Sequence, residues 1–203
     1  SLGSGGAADR IEFDIKLDWR TPETNLKAAF PLTVRNKNAT YNLEAGVIER
    51  ETNNPRKYEV PHHQWFDLTH EDGSYGVAIL EDSRYASDKP DENTVRLTLV
   101  RTPGCTSYCD QATQDMGRHT IKYAMAPHEG DWRDGDAHWQ ALRLNQPLLS
   151  FTARKHEGAL GREFSFMKVS SPQVAVRAAK MAEESDEIII RLHELHGEPA
   201  EGV

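Results

Sequence analysis

Histidines beside carboxylates are the first feature of this sequence that could do chemistry. His62, His63, His119, His128 and His138 each lie near acidic residues. Paired in a cleft they would work as general acids and bases, and three or four converging would hold a metal. No His-Glu-x-x-His spacing occurs. His193 and His196 sit three apart in a strand-to-loop context, which splits them across faces. The sequence therefore predicts no metal in this chain. Cys105 and Cys109 supply only two of the four ligands of a zinc site and read as a free thiol pair on a polar loop.

Asp115, Arg118 and His119 form the most motif-like polar cluster. On a pocket rim, the Arg118 fork would grip hydroxyls or a carboxylate. The preferred reading is structural: Gly117 turns the chain, Arg118 pairs with Asp115 or a neighbouring Asp, and His119 caps a strand. His128 and Trp132 complete the candidates for a pocket rim. Trp132 and Trp139 could stack on sugar faces, although a Trp in such a loop more often packs at a domain interface. Trp19 and Trp65 read as core, and Glu183 to Glu187 as a solvated turn.

The elements that must position these residues are mostly strands. Arg10 to Trp19 alternates, with Ile11, Phe13, Ile15, Leu17 and Trp19 on one face. Leu26 to Val34 and Ala39 to Leu43 read as strands joined by the turn Asn36-Lys37-Asn38, and Gly46 to Arg50 continues the pattern. Gln64 to Leu68 is a short strand. Tyr75 to Leu80 is an unbroken apolar run, expected to be buried on both faces. Thr94 to Thr102 puts Val95, Leu97, Leu99 and Arg101 on one face. His119 to Ala126, His138 to Leu149 and Phe164 to Val169 are further strand candidates. Ala175 to Glu184 has helical composition, but a strand over Val174 to Met181, paired with Glu187 to His193, also fits. The long polar stretches 51–57, 82–93, 104–117 and 127–136 read as loops. Many short strands with turn signals predict an all-β antiparallel sandwich with few or no helices.

The 203 residues suffice for one large domain or two small ones. Recurrent apolar clusters argue against disorder despite a mean hydropathy of -0.69. A net charge of -8 disfavours nucleic acid and anionic membranes as partners. No stretch approaches the ~20 apolar residues of a membrane span. Residues 1–9 read as an expression scar or flexible start, and 10–203 as a single β-sandwich region. The absence of a starting Met suggests a fragment. Two cysteines make no disulfide scaffold and favour a reduced compartment.

Several segments resemble glycoside hydrolase family 38. They run in order: ATYNLEAGVIE at 39–49, PHHQWFDL at 61–68, YGVAILED at 75–82 with Arg84-Tyr85, LTLVRTP at 97–103, DMGRH at 115–119, YAMAPHEGDW at 123–132 and NQPLL at 145–149. Any one would be weak, but the ordered series over about two-thirds of the chain is specific. It is most similar to the cytosolic-type branch. The likeness fades over 153–164, returns near 169–172 and 191–197, and is lost in the loop 104–114. The family's members are retaining α-mannosidases whose carboxylates and zinc lie in an amino-terminal domain, followed by β-sandwich domains related in fold to galactose mutarotase. The resemblance implies a carboxy-terminal β-sandwich of such an enzyme. Its partners would be its own catalytic domain and an α-mannoside, with a homo-oligomer in the intact enzyme and a cytoplasmic location. It implies no catalytic residue and no zinc ligand in this chain. Two readings of other classes are a stand-alone carbohydrate-binding module using Trp132 and Trp139, and a mutarotase-like epimerase. The latter needs a His/Glu acid–base pair in a cleft.

Overall fold

The alternation over Ile11–Trp19 builds strand β1, whose Phe13, Ile15, Leu17 and Trp19 all pack on the main core. The computed structural model describes residues 9–105, 110 and 114–201. They fall into two compact units, Ser1–Pro147 and Leu148–Val203.

The first unit holds β2 (Thr24–Pro31), β3 (Asn38–Leu43), β4 (Gly46–Glu51), β5 (Val60–Pro61), β6 (Trp65–Thr69), β7 (Tyr75–Glu81), β8 (Ala86–Asp88), β9 (Thr94–Thr102), β10 (Gly117–Glu129) and helix α1 (Ala137–Asn145). A six-stranded sheet runs β1-β10-β7-β6-β3-β4, and a four-stranded sheet runs β2-β9-β8-β5. Their pairings are antiparallel. Side chains from both sheets, among them Tyr41, Phe66, Ile79, Leu97 and Ile121, meet in one core, so the unit is an antiparallel sandwich. The fold is all-β with one short helix.

The outer face of the larger sheet carries a second core. Trp65, Ala78, Leu80, Ala124 and Ala126 lie under Trp132, Ala137, Ala141 and Leu144. That double coverage explains the unbroken apolar run in β7, whose odd positions face the sandwich while Ala78 and Leu80 face the helix.

Five local expectations are corrected. The span His138 to Leu149 is not a strand: α1 forms because Ala137, Ala141 and Leu144 recur at helical spacing and bury together. No strand forms over 164–169. The loop 82–93 contains β8. The turn at 36–38 joins strands of different sheets, since β2 pairs with β9 and β3 with β4 and β6. In β9, a register shift opposite Leu26/Lys27 leaves Leu99 and Val100 both in the core and turns Arg101 outward.

The second unit holds β11 (Val174–Met181) and β12 (Ile188–Glu194), which pair antiparallel. The helical composition of 175–184 yields here to the cross-strand partner.

Candidate functional site

Strand β10 decides how the candidate rim residues are grouped. Asp115, Arg118 and His119 lie at its start, where His119 pairs in register with Leu17. His128 lies near its end, opposite Gly76. Nine residues of strand separate the two histidines by roughly 30 Å at ~3.3 Å per residue. This chain therefore does not bring the five candidates into one pocket. At the start of β10, Asp115 and Arg118 are exposed. His119 Nε2 lies 2.9 Å from the Asp115 backbone carbonyl, so the predicted strand-end contact is present, while Gly117, at φ 107°, is the first residue of β10 rather than a turn.

The other end is more built. His128 Nε2 lies 2.7 Å from Asp67 Oδ2, and both side chains are buried. Thr69 Oγ1 donates to Asp67 Oδ1 at 2.6 Å. Burial alone would depress the His128 pKa. The hydrogen bond and charge of Asp67, with the Glu129 and Gly130 backbone, outweigh it and raise the pKa. Two glycines flank the ring. A Cβ at Gly76 would come 2.5 Å from His128 Cε1, and one at Gly135 would come 2.4 Å from its Cγ. Gly135→Ala is expected to force the ring off Asp67 and lower stability by about 1–3 kcal/mol, as overpacking does. Gly158→Ala, whose Cβ would meet nothing closer than 3.8 Å, is the control for chemical melts.

His128 borders a half-open cavity of about 480 Å³ with Arg10, Asp9, Asp134, Asp136 and Gln140. Arg10 is already engaged: Nε and Nη2 donate to Glu12 Oε1, and Nη1 donates to the Gln140 carbonyl and Oε1. Those bonds tie the head of β1 to α1. Trp132 is buried against Trp65, ring centroids 5.1 Å apart, with the Arg133 guanidinium 4.3 Å from its centroid. It offers no open face for a sugar, which removes the platform of a stand-alone binding module. Trp139 is half-buried, edge-on to His138.

Sequence reasoning missed two buried polar centres. Glu81 and His62 are both enclosed, with Glu81 Oε1 3.9 Å from His62 Nδ1. Burial, aided by the charge of Asp82, pushes Glu81 up to about 8, and burial takes His62 down to about 4. At neutral pH both are uncharged. The couple has no access to a cleft, so it is not the acid–base pair that an epimerase needs. The second centre is Asp88 on β8, which accepts from Lys27 of β2, from Asn53 and from Arg96 of β9. Asp67 and Glu81 are acids inside or ending apolar strands, and that position was the available signal; Asp88 ends the short strand β8 in a polar stretch and gave none.

Among the described residues, no three His, Cys, Asp or Glu side chains are grouped to hold a metal. Cys105 is disulfide-bonded, which corrects the free-thiol reading at this residue. Cys109 lies outside the described residues.

The family described as Glycosyl hydrolases family 38 C-terminal domain matches residues 7–106. Alpha-mannosidase 2C1 of Mus musculus is 33% identical over 92% of this chain and 18% of its own length. Alpha-mannosidase of Saccharomyces cerevisiae is 36% identical over 56% of this chain and 10% of its own. A solved glycosyl hydrolase family 38 protein from Enterococcus faecalis superposes with a TM-score of 0.81 at 18% identity, covering 93% of this chain and 23% of that one. The chain thus spans about a fifth of the length of such relatives.

Proposed function

This chain belongs to glycosyl hydrolase family 38, in its C-terminal domain, and from that premise we propose that it is the β scaffold of a retaining α-mannosidase that removes terminal α-linked mannose from oligosaccharides. The observation that carries this reading is one of coverage. A single continuous likeness takes in 92% of this chain and only 18% of a mannosidase. The titratable groups fit the role. His128, Asp67, Arg10 and Asp88 are spent on holding strands together, and a retaining mechanism needs two carboxyls about 5–5.5 Å apart across a bound sugar. The reacting carboxylates and the zinc ion belong to the catalytic domain of the same polypeptide, and this chain packs on that domain and borders its pocket.

Within that arrangement, the start of β10, with exposed Asp115 and Arg118, is the part of this chain that reaches toward the sugar. The intact enzyme acts in the cytoplasm, by the likeness of its motifs to the cytosolic-type branch, and is a homo-oligomer. No helix among the described residues is long and apolar enough to cross a membrane.

The test is hydrolysis of an aryl α-mannoside. The purified chain is expected to show none, and the parent enzyme to lose its activity when this segment is deleted. Turnover by the chain alone would overturn the reading. Saturable binding of mannose by the chain alone would favour a stand-alone module instead.

A further inference from the structure

An open cavity at the β5 edge of the smaller sheet reverses the charge balance of the chain. It holds about 490 Å³, and its lining includes Arg56, Lys57, Tyr58, Glu59, Tyr85 and Arg101. The chain as a whole has 32 acidic against 24 basic residues. Here three cations meet one carboxylate, and that carboxylate is already engaged. Glu59 Oε1 accepts from Lys27 Nζ at 3.1 Å and from Thr98 Oγ1. Arg56, Lys57 and Arg101 make no side-chain hydrogen bond or ion pair among the described residues. Arg101 acts on Glu59 through its charge alone, from beyond ion-pair reach.

The backbone that displays these groups is tied down. Asn54 and Lys57 exchange two backbone hydrogen bonds at 2.9 Å around Pro55, which suits the second position of such a turn. Asn54 Oδ1 accepts the Arg56 N–H at 3.0 Å. At the foot of the turn, Asn53 Nδ2 donates to Asp88 Oδ2 at 2.8 Å. Tyr85 precedes β8, where its carbonyl accepts the His62 N–H at 3.1 Å and its ring leans on His63, centroids 5.9 Å apart. The register shift in β9 turns Arg101 outward. Tyr58 is 68% exposed and Tyr85 52%, so both rings offer open surface to a ligand.

Charge and shape together select the ligand. A phosphate monoester brings close to two negative charges. An Arg fork grips it through paired hydrogen bonds, and Lys adds a point charge. The cavity is of the size that holds a small organic ligand, larger than a bare phosphate needs. The tyrosine faces suit the C–H face of a sugar ring. We propose that this cavity binds a phosphorylated sugar, its phosphate held by Arg56, Lys57 and Arg101 and its ring laid on Tyr58 or Tyr85. The site goes beyond the scaffold role proposed above and does not depend on it.

Calorimetric titration of this chain at low ionic strength tests it, because exposed charges are then least screened. The probe is mannose 6-phosphate, with mannose and inorganic phosphate as its two halves. The sugar phosphate is expected to saturate, and to bind about tenfold more tightly than inorganic phosphate, the margin of one aromatic contact. Mannose alone is expected not to saturate. Arg56→Gln, Lys57→Gln and Arg101→Gln are each expected to weaken the sugar phosphate about tenfold, the worth of one charge-assisted contact. Tyr58→Ala or Tyr85→Ala is expected to weaken the sugar phosphate and leave inorganic phosphate unchanged. Lys16→Gln, at an exposed cation of β1, is the control expected to change nothing. Every substituted residue is exposed, so the melts should coincide with that of the unsubstituted protein. Where one Gln variant melts early, the other two carry the test. A sugar phosphate that does not saturate, or that Lys16→Gln weakens equally, overturns the proposal. Inorganic phosphate binding as tightly as the sugar phosphate overturns it too, and leaves a bare anion patch. A glutamate-rich peptide that binds more tightly would give the cavity to an acidic protein and overturn it. So would Arg101-sensitive binding that this chain shows and the parent polypeptide lacks, since the cavity would then be covered in the intact enzyme.

Discussion

Asp67→Ala is expected to destabilise the protein by about 3–5 kcal/mol, the cost of stripping one partner from a buried pair. The carboxylate lies in the middle of β6, accepts from Thr69 Oγ1, and meets His128 Nε2 at 2.7 Å. Its loss leaves a half-buried hydroxyl and a buried imidazole without their acceptor, in a site that Gly76 and Gly135 have shaped around the ring. The penalty should depend on pH. The folded His128 pKa lies above its ordinary value of 6.5. The stabilisation from its protonated form is therefore fully present below about 6.5 and fades as pH rises through the folded pKa. Urea melts at pH 5.5 and 8.5 should show the larger loss at pH 5.5. A loss equal at both would mean that Asp67 holds a neutral ring and that charge plays no part. His128→Gln separates the hydrogen bond from the charge, since it keeps a donor for Asp67 but cannot be protonated. Its melts should lose the pH-dependent share only.

The sandwich was legible because its signal is local. Ile11 to Trp19 alternates over its whole length, and β7 is apolar throughout because one sheet is covered on both sides. Local pairing such as that of β11 with β12 was legible, but long-range pairing was not. β2 finds β9 some seventy residues later, and the turn after it merely carries the chain from one sheet to the other. The helix was hidden by its own composition. Ala137, Ala141 and Leu144 carry the buried stripe, yet the bulky Trp139 and Leu142 fall off it and mask the period. The candidate residues divided along the same line. A motif such as Asp115 to His119 reports a strand start, which sequence can show. Its distance from His128 depends on how long β10 runs before it ends, which sequence cannot. Two of the buried acids, Asp67 and Glu81, were visible as anomalies in apolar strands, whereas Asp88 lay in a stretch that read as a polar loop. Their partners come from elsewhere: Lys27 is 61 residues from Asp88, and Asp67 is 61 from His128. Only the fold brings them together.

Glu81→Gln is expected to stabilise the protein near neutral pH, an uncommon outcome for a change at a fully buried site. Glu81 continues the inward-facing series of Val77 and Ile79 at the end of β7, where its Oε2 accepts the Arg84 backbone N–H at 2.5 Å and its Oε1 has no hydrogen-bond partner. Burial raises its pKa from 4.5 to about 8. Between those values the folded chain keeps a proton that the unfolded chain releases, so stability falls as pH rises across that window. Each pH unit costs about 1.4 kcal/mol, which puts the burden of the acid at about 3 kcal/mol at pH 7. Glutamine stays neutral at every pH and can still accept from the Arg84 N–H, so it removes most of that burden. His62 acts in the opposite sense. Its folded pKa is lowered from 6.5 to about 4, so its contribution is whole above about 6.5 and is lost as pH falls toward 4. From pH 4.5 to 6.5 the two slopes offset one another in the unsubstituted protein, which should be nearly flat there and lose stability from 6.5 to 8. The glutamine variant loses the acid's slope and keeps that of His62, so its stability should climb from pH 4 to 6.5, and above 6.5 it keeps only the decline that His128 brings. The two curves should meet near pH 4 and lie about 3 kcal/mol apart at pH 7. Chemical melts across that range decide it, and a variant less stable than the parent protein at pH 7 would mean that the Glu81 carboxyl is ionised in the fold.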